Sequence, residues 1–184
     1  MGWILLIAGV AIWWGAHVFK RVTPERRAAM GDAGRGYVSI ALLASIVLMV
    51  LGYRATPFVP LWSGPGFFLH LNNLMVLIAL FLFSPAPKRG KLLAGMRHPQ
   101  LIAFKLWAIA HLLVNGDVAS VILFGGLLAW AVVSVIVINR AEPQWTPREG
   151  GTLAKDAMFL AASVVLLVVL GSIHGWLGPW PFPS

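Results

Sequence analysis

The stretch VASVILFGGLLAWAVVSVIVI, residues 118–138, decides the fold of this chain. It contains no charged side chain, and it is long enough to cross the hydrocarbon core of a bilayer, which takes ~20 apolar residues in a helix. Other apolar stretches flank it, at Trp3–Phe19, Val38–Tyr53, Phe67–Phe83, Pro99–Val114 and Leu153–Ile173. The sequence therefore predicts an all-α, polytopic membrane helix bundle of about six transmembrane helices, forming a single domain over residues 1–184.

The composition supports a bilayer as the solvent. The chain is 59% hydrophobic and 11% charged, with a mean hydropathy of +0.85, whereas a soluble domain carries about 25% charged residues. The net charge of +8 would suggest nucleic acid in a soluble protein, but here basic loops explain it and no nucleic-acid partner is expected. The absence of cysteine excludes disulfides, thiol catalysis and iron–sulfur clusters.

The basic residues indicate the orientation. Twelve of the 14 Lys and Arg residues fall in the first, third and fifth loops between the predicted spans or at the start of the sixth. Arg54 alone lies on the other side, and Lys105 lies within the fourth span. Short loops rich in Lys and Arg stay in the cytoplasm. We therefore expect both termini in the periplasm.

Histidines are the candidate ligands. The chain has five, and all of them lie at or within a predicted span: His17, His70, His98, His111 and His174. A single histidine at a helix end is commonly a hydrogen-bonded structural residue, but imidazole is also a ligand for haem iron and other metals. Judged by depth in the membrane alone, His111 would pair with His70 or His174, and His17 with His98.

The fourth span carries a polar and aromatic stripe. At spacings of three and four residues, one helix face presents Gln100, Phe104, Trp107, His111 and Asn115. Such a mixture suits the wall of a pocket better than a surface facing lipid.

Three charged residues near this stripe have alternative interpretations. Arg97 and Lys105 are candidates to bind anionic groups such as haem propionates, although Arg97 is also an ordinary cytoplasmic loop residue and Lys105 could extend to the interface. Asp117 follows Asn115-Gly116, a turn signal, and is predicted to cap the fifth helix.

Small residues predict where helices approach one another. Ala11 with Gly15, and Gly125 with Ala129, have the spacing that lets two membrane helices pack closely.

Several of these motifs resemble a known family. Arg97-His98-Pro99-Gln100, followed by Trp107, Ala110-His111 and Asn115-Gly116-Asp117, resembles the signature of the NnrU-like integral membrane proteins. The resemblance extends to His17, the His70 region and the His174-Gly175 ending. That family is similar to plant and cyanobacterial zeta-carotene isomerase, a haem b enzyme.

The resemblance implies haem b, with iron held axially by His111 and His17. Depth alone does not favour that pair, since the two residues differ by about 15 Å along the membrane normal; His70, His174 and His98 therefore stay as alternatives. The other residues expected to bind the cofactor are Trp107, Asn115, Arg97 and Lys105. No catalytic residue is predicted.

The resemblance also implies a role and a location. NnrU-like proteins are named for an association with nitrite and nitric oxide respiration, so we expect a multi-pass protein of the bacterial inner membrane that supports denitrification. The alternatives are a haem-dependent cis–trans isomerase of a hydrophobic polyene and a non-enzymatic assembly subunit. The expected partners are lipid, haem, a hydrophobic small molecule, and a second copy or a respiratory complex. If the chain is an enzyme, it is an isomerase or a redox protein.

Overall fold

A computed structural model describes residues 1–183, of which most are helical. Long helices alternate with short ones. Their bounds are α1 Gly2–Val22, α2 Pro24–Ala29, α3 Ala33–Ala55, α4 Phe67–Phe83, α5 Ala86–Arg89, α6 Pro99–Val114, α7 Val118–Ser120, α8 Gly126–Ala141 and α9 Leu153–Leu177. A π-helical turn, Val121–Gly125, joins α7 to α8 and makes one continuous helix of the three.

Each predicted span coincides with a helix, but the helices differ in length. Four are long and apolar enough to cross a membrane: α1, α3, α9 and the continuous helix Val118–Ala141. The predicted bounds of α4 and α6 match the structure, yet both helices are shorter. The others extend beyond the apolar stretch, as α1 does through Lys20 and Arg21, because a helix satisfies its own backbone hydrogen bonds whatever its side chains. The all-α class is confirmed, and the membrane character rests on four long helices.

Burial is inverted relative to a water-soluble protein. Polar side chains such as Ser45, Asn72 and Ser163 are buried, whereas large apolar side chains on α3 and α9 are exposed. Exposed apolar faces of this extent suit lipid contact, and polar groups within spans normally face the protein interior. The structure therefore supports a membrane protein independently of hydropathy.

The chain divides into two compact units. The first comprises Met1–Trp62 and Gly116–Ala141. In it α1 and α3 pack along a seam of glycines, where Gly9 lies against Met49 and Gly52 lies against Leu6. Because glycine has no side chain, the two helix backbones approach closely.

The predicted small-residue contacts were wrong in detail. No heavy atom of a neighbouring element lies within 4 Å of the position that a Cβ on Gly15 would take, and at Gly125 the nearest is Val121 at 3.9 Å. The close approach is at Gly126, one residue along, where a Cβ would lie 2.9 Å from Val10. The π-helical turn is the physical reason, since its extra residue rotates the face that α8 presents.

The second unit comprises residues 63–115 and 142–183. Its α4 and α6 pack around Ala79, Leu82 and Ala103, with Trp107 against that cluster. Within this unit α9 joins α4 and α5. The prediction of a single domain over residues 1–184 stays a prediction.

Buried Asp156 ties the two basic loops of this second unit together. Its Oδ2 accepts hydrogen bonds from the backbone N–H groups of Lys91, at 2.7 Å, and Leu92, at 3.1 Å. Gly151 N–H also donates to the carbonyl oxygen of Gly90, at 2.9 Å. The segments around residues 90 and 151 therefore lie together at one end of the unit.

The described C-terminal residues fold back on α9 in the same unit. Phe182 packs against Gly171, and Trp180 packs against Gly175. The carbonyl oxygen of Pro181 accepts a 3.0 Å hydrogen bond from the Nδ2 atom of Asn73 on α4. Asn73 is therefore engaged by this tail.

Candidate functional site

His17 lies among aromatic rings in the first unit. Its Nδ1 atom is 2.9 Å from the carbonyl oxygen of Trp13, one turn earlier in α1. The ring centroid of His17 is 4.2 Å from that of Trp13 and 4.5 Å from that of Trp130 on α8. A carbonyl oxygen only accepts, so in the neutral ring the Nδ1 atom carries the proton and the Nε2 atom has the lone pair.

His111 has the same local geometry in the second unit. Its Nδ1 atom is 2.9 Å from the carbonyl oxygen of Trp107, one turn earlier in α6, and the two ring centroids are 4.9 Å apart. The Nε2 atom of His111 therefore also keeps its lone pair. A hydrogen bond from one imidazole nitrogen to a carbonyl is the arrangement that orients a metal-binding histidine.

Neighbouring residues of the predicted stripe on α6 contact one another along the helix. The centroids of Phe104 and Trp107 are 5.2 Å apart, and Asn115 Nδ2 donates a 2.8 Å hydrogen bond to the carbonyl oxygen of His111. Gln100, at the start of the stripe, lines a separate cavity. Trp107 and Asn115 thus contact His111, and the role of the stripe as the wall of a pocket stays a prediction.

The three other histidines differ in their surroundings. His174 is exposed near the end of α9, and its Nδ1 atom is 2.8 Å from the carbonyl oxygen of Pro179. It is close enough to His111 to act on it electrostatically. His70 is exposed on α4, and His98 is half-buried just before α6. Which of His70 and His174 would pair with His111 stays a prediction.

Arg97 and Lys105 lie in different places. Arg97 donates a hydrogen bond to the carbonyl oxygen of Glu142 and lines a cavity at the N-terminal end of α6. Lys105 is half-buried within α6. From Pro99, beside Arg97, to His111 the helix rises about 18 Å. A role for either residue in binding propionates stays a prediction.

Asp117 is the predicted cap, and it also belongs to a network that the sequence did not reveal. Its Oδ1 atom accepts a 3.0 Å hydrogen bond from the backbone N–H of Ser120, which confirms the cap. Its Oδ2 atom accepts from Ser120 Oγ at 2.5 Å, and Tyr53 Oη lies 2.9 Å from the same hydroxyl oxygen. Tyr53 is distant in sequence, so no spacing rule could have found it.

The metal chemistry is restricted by the donor set. Among residues 1–183, no three His, Asp or Glu side chains lie together as a metal site. Haem iron takes four nitrogens from the porphyrin and needs only one or two from the protein, as at a proximal histidine. His17 and His111 each have a hydrogen-bonded Nδ1 atom, so Nε2 is the atom through which either ring would bind such an iron.

Comparisons with known proteins point to a single family. Neither a search of curated proteins nor a search of solved structures finds a match. The family model described as NnrU protein matches residues 5–181, nearly the whole chain. The chain therefore belongs to the NnrU family.

Proposed function

We propose that this protein binds haem b within the membrane, with the Nε2 atom of His111 as an axial ligand to iron. The observation that carries the proposal is the 2.9 Å contact between His111 Nδ1 and the carbonyl oxygen of Trp107. That bond places the proton of the neutral ring on Nδ1, holds the ring in one orientation and directs the lone pair of Nε2 to coordination of iron.

The second axial ligand has two candidates. His17 has the same hydrogen bond to a carbonyl one turn earlier, and the family resemblance favours it. His174 lies near His111 in the same unit and also has its Nδ1 atom against a carbonyl oxygen. We propose His17 on the strength of the resemblance, with His174 as the competitor that single variants distinguish.

The surrounding side chains suit a cofactor that is mostly apolar. Trp107 and Phe104 present their rings beside His111, and Trp107 packs against the apolar cluster of α4 and α6. Bound haem would supply an iron centre that takes up and releases single electrons, tuned by its axial ligands. The chain itself would orient the imidazole and keep water from the iron.

The first test is an absorption spectrum of the protein purified from haem-replete cells. We expect a Soret band, reducible by dithionite, in the wild type and in a His98→Ala control. His111→Ala should lose the band or shift it to a five-coordinate form, and the same change in His17→Ala but not His174→Ala would assign the second ligand. Wild-type protein that contains no haem and fails to bind added haemin would overturn the proposal.

The cellular role is inferred from the family resemblance. We propose that the haem protein supports nitrite and nitric oxide respiration in the bacterial inner membrane. A deletion strain should grow poorly on nitrite without oxygen, and the wild-type gene should restore growth while His111→Ala should not. Full restoration by His111→Ala would instead favour a non-enzymatic assembly subunit, in which the histidines only form hydrogen bonds.

A second candidate function rests on the aromatic contacts of α6. The Phe104–Trp107 pair would also suit a hydrophobic polyene, as in a haem-dependent cis–trans isomerase. Incubation of the haem-loaded protein with a poly-cis carotenoid tests this function. An unchanged isomer ratio by chromatography would remove it without affecting the haem proposal.

A further inference from the structure

A basic cavity in the second unit is not accounted for by the haem proposal. It has a volume of about 280 Å³ and lies where α4 ends, α6 begins and the segment between α8 and α9 passes by. Its wall includes Lys88, Arg97 and Arg148, which come from three separate segments of the chain. We call this space the basic cavity.

The charge of this cavity is unbalanced. Among the side chains that line it in the described part of the chain there is no Asp or Glu. Three cations around one small volume repel one another, and an anion among them would relieve that repulsion. Arg97 also donates a hydrogen bond to the carbonyl oxygen of Glu142.

The rest of the wall is mixed: Ser84 and Gln100 are polar, and the other side chains are apolar. Leu82, from the last turn of α4, and Met96 contribute side chains, and Trp145 contributes an indole that is 39% exposed. Tryptophan is enriched at the boundary between lipid and water. A cavity whose wall combines cationic and apolar side chains, at the end of two apolar helices, suits an amphiphile with an anionic head.

We propose that the basic cavity binds the phosphate group of an anionic phospholipid from the cytoplasmic leaflet. Its three cations lie in the loops that the distribution of Lys and Arg assigns to the cytoplasm, where anionic lipids attract basic residues. Arginine pairs with phosphate through two parallel hydrogen bonds, which gives Arg97 and Arg148 the main part in recognition.

The shape of the basic cavity depends on Asp156. Because its carboxylate holds the backbone at Lys91 and Leu92, and Gly151 bonds to Gly90, the segments that carry Lys88 and Arg148 are held together. The cavity is therefore organised before any ligand arrives. The cavity lies at the opposite end of α6 from His111, so binding of lipid there can be measured whether or not haem is bound.

The test measures lipid retention by the full chain. Protein would be purified in a neutral detergent, exchanged with dioleoylphosphatidylglycerol or dioleoylphosphatidylcholine, and analysed by native mass spectrometry. The variant Lys88→Gln/Arg97→Gln/Arg148→Gln removes the three cations. Arg26→Gln/Lys91→Gln/Arg140→Gln removes three exposed cations outside the cavity and serves as the matched control. Circular dichroism would verify that both variants keep the helical content of the wild type.

We expect the wild type and the matched control to retain phosphatidylglycerol in preference to phosphatidylcholine. The cavity variant should bind phosphatidylglycerol more weakly, on the order of a hundredfold for three cations. Lys88→Arg/Arg97→Lys/Arg148→Lys, which keeps the charge, should retain much of the binding and so show that loss reflects charge and not misfolding. Equal retention by the cavity variant and the matched control would overturn the proposal.

A second arm identifies the source of the phosphate. Glycerol 3-phosphate would be titrated into the lipid-free protein by calorimetry, and into the lipid-loaded protein to test displacement. If the soluble phosphate does not bind, the result supports a lipid ligand, because binding then requires contact with the apolar side chains of the wall. Tight binding of glycerol 3-phosphate with displacement of the lipid would overturn the lipid as source and leave a soluble phosphate ester in its place.

Discussion

The indole Nε1 of Trp14 donates a 2.9 Å hydrogen bond to the carbonyl oxygen of Gly126, at the residue where the π-helical turn gives way to α8. Next to it, a Cβ on Gly126 would lie 2.9 Å from Val10. The turn and the hydrogen bond together therefore define how α1 meets α8. π-Helical turns are often found at functional positions, and this one lies one turn along α8 from Trp130, which contacts His17.

Replacing Trp14 by Phe should destabilise the first unit. The substitution keeps an aromatic ring but removes the donor to Gly126, which should cost about 1 kcal/mol. Thermal unfolding in detergent, followed by circular dichroism, measures the loss. Trp176→Phe, at a side chain that is 84% exposed, is the control. Equal melting temperatures for the two variants would contradict the assigned role of the hydrogen bond.

The seam between α1 and α3 predicts a contrast between two glycines. A Cβ on Gly52 would overlap the backbone of Leu6, whereas one on Gly15 would meet open space. Gly52→Ala should therefore cost about 1–3 kcal/mol through forced separation of the helices. Gly15→Ala should be neutral or stabilise α1 by up to about 1 kcal/mol through its better helix propensity. Unfolding of both variants in mixed detergent micelles tests the contrast, and equal stabilities would refute the seam.

Asp156 should contribute to stability through its backbone partners. It is 3% exposed and accepts the N–H groups of Lys91 and Leu92. Asp156→Ala leaves both donors without that acceptor, and we expect a loss of about 2–3 kcal/mol in the free energy of unfolding. Asp156→Asn keeps an oxygen acceptor and should lose less. Asp32→Ala, at a side chain that is 96% exposed, should change stability by less than about 1 kcal/mol.

Removal of the His111 side chain tests the haem proposal at the level of the ligand atom. His111→Gly deletes the imidazole and leaves the ring of Trp107 beside the vacated volume. Added imidazole should enter that volume and restore the six-coordinate spectrum, because the proposed bond to iron involves only Nε2. His70→Gly is the control: its spectrum should equal that of the wild type, with or without added imidazole. A His111→Gly spectrum identical to the wild type would exclude His111 as a ligand.

The helical architecture could be predicted from hydropathy because a single apolar stretch is stable in lipid only as a helix. Phe67–Phe83 and Pro99–Val114 were predicted with the observed bounds, since Pro and Gly punctuation marks their ends. The helix contacts could not be predicted in the same way. Spacing alone suggested Gly15, whereas the contacts occur at Gly9, Gly52 and Gly126. Gly126 directly follows a π-helical turn that no sequence pattern marks.

The candidate site, too, could be predicted only in part. The stripe from Phe104 to Asn115 follows from helical periodicity, and its contacts are observed. Contacts between distant segments did not follow, such as Trp130 with His17 and Tyr53 with Ser120. They depend on which helices are neighbours, and periodicity within one helix carries no information about that.

The number of membrane crossings can be decided at Gly95. With α4 and α6 as spans, six crossings place residues 84–98 in the cytoplasm; without them, four crossings place that loop outside. The two helices are about 25 Å long, somewhat short of the ~30 Å hydrocarbon core, so they would need local thinning of the bilayer. The contacts of Lys91 with Asp156 and of Gly90 with Gly151 place this loop with the one before α9, and we therefore predict that it is cytoplasmic.

Single cysteines test this prediction, since the chain has none of its own. Gly66→Cys lies outside the membrane and Gly150→Cys lies on its cytoplasmic side, with six crossings as with four. All three glycines, Gly66, Gly95 and Gly150, have room for a Cβ. In intact spheroplasts, a membrane-impermeant maleimide should label Gly66→Cys but neither Gly95→Cys nor Gly150→Cys. All three should react after lysis. Labelling of Gly95→Cys before lysis, with Gly150→Cys still protected, would reduce the count to four crossings and would move Lys88 and Arg97 away from the cytoplasmic leaflet.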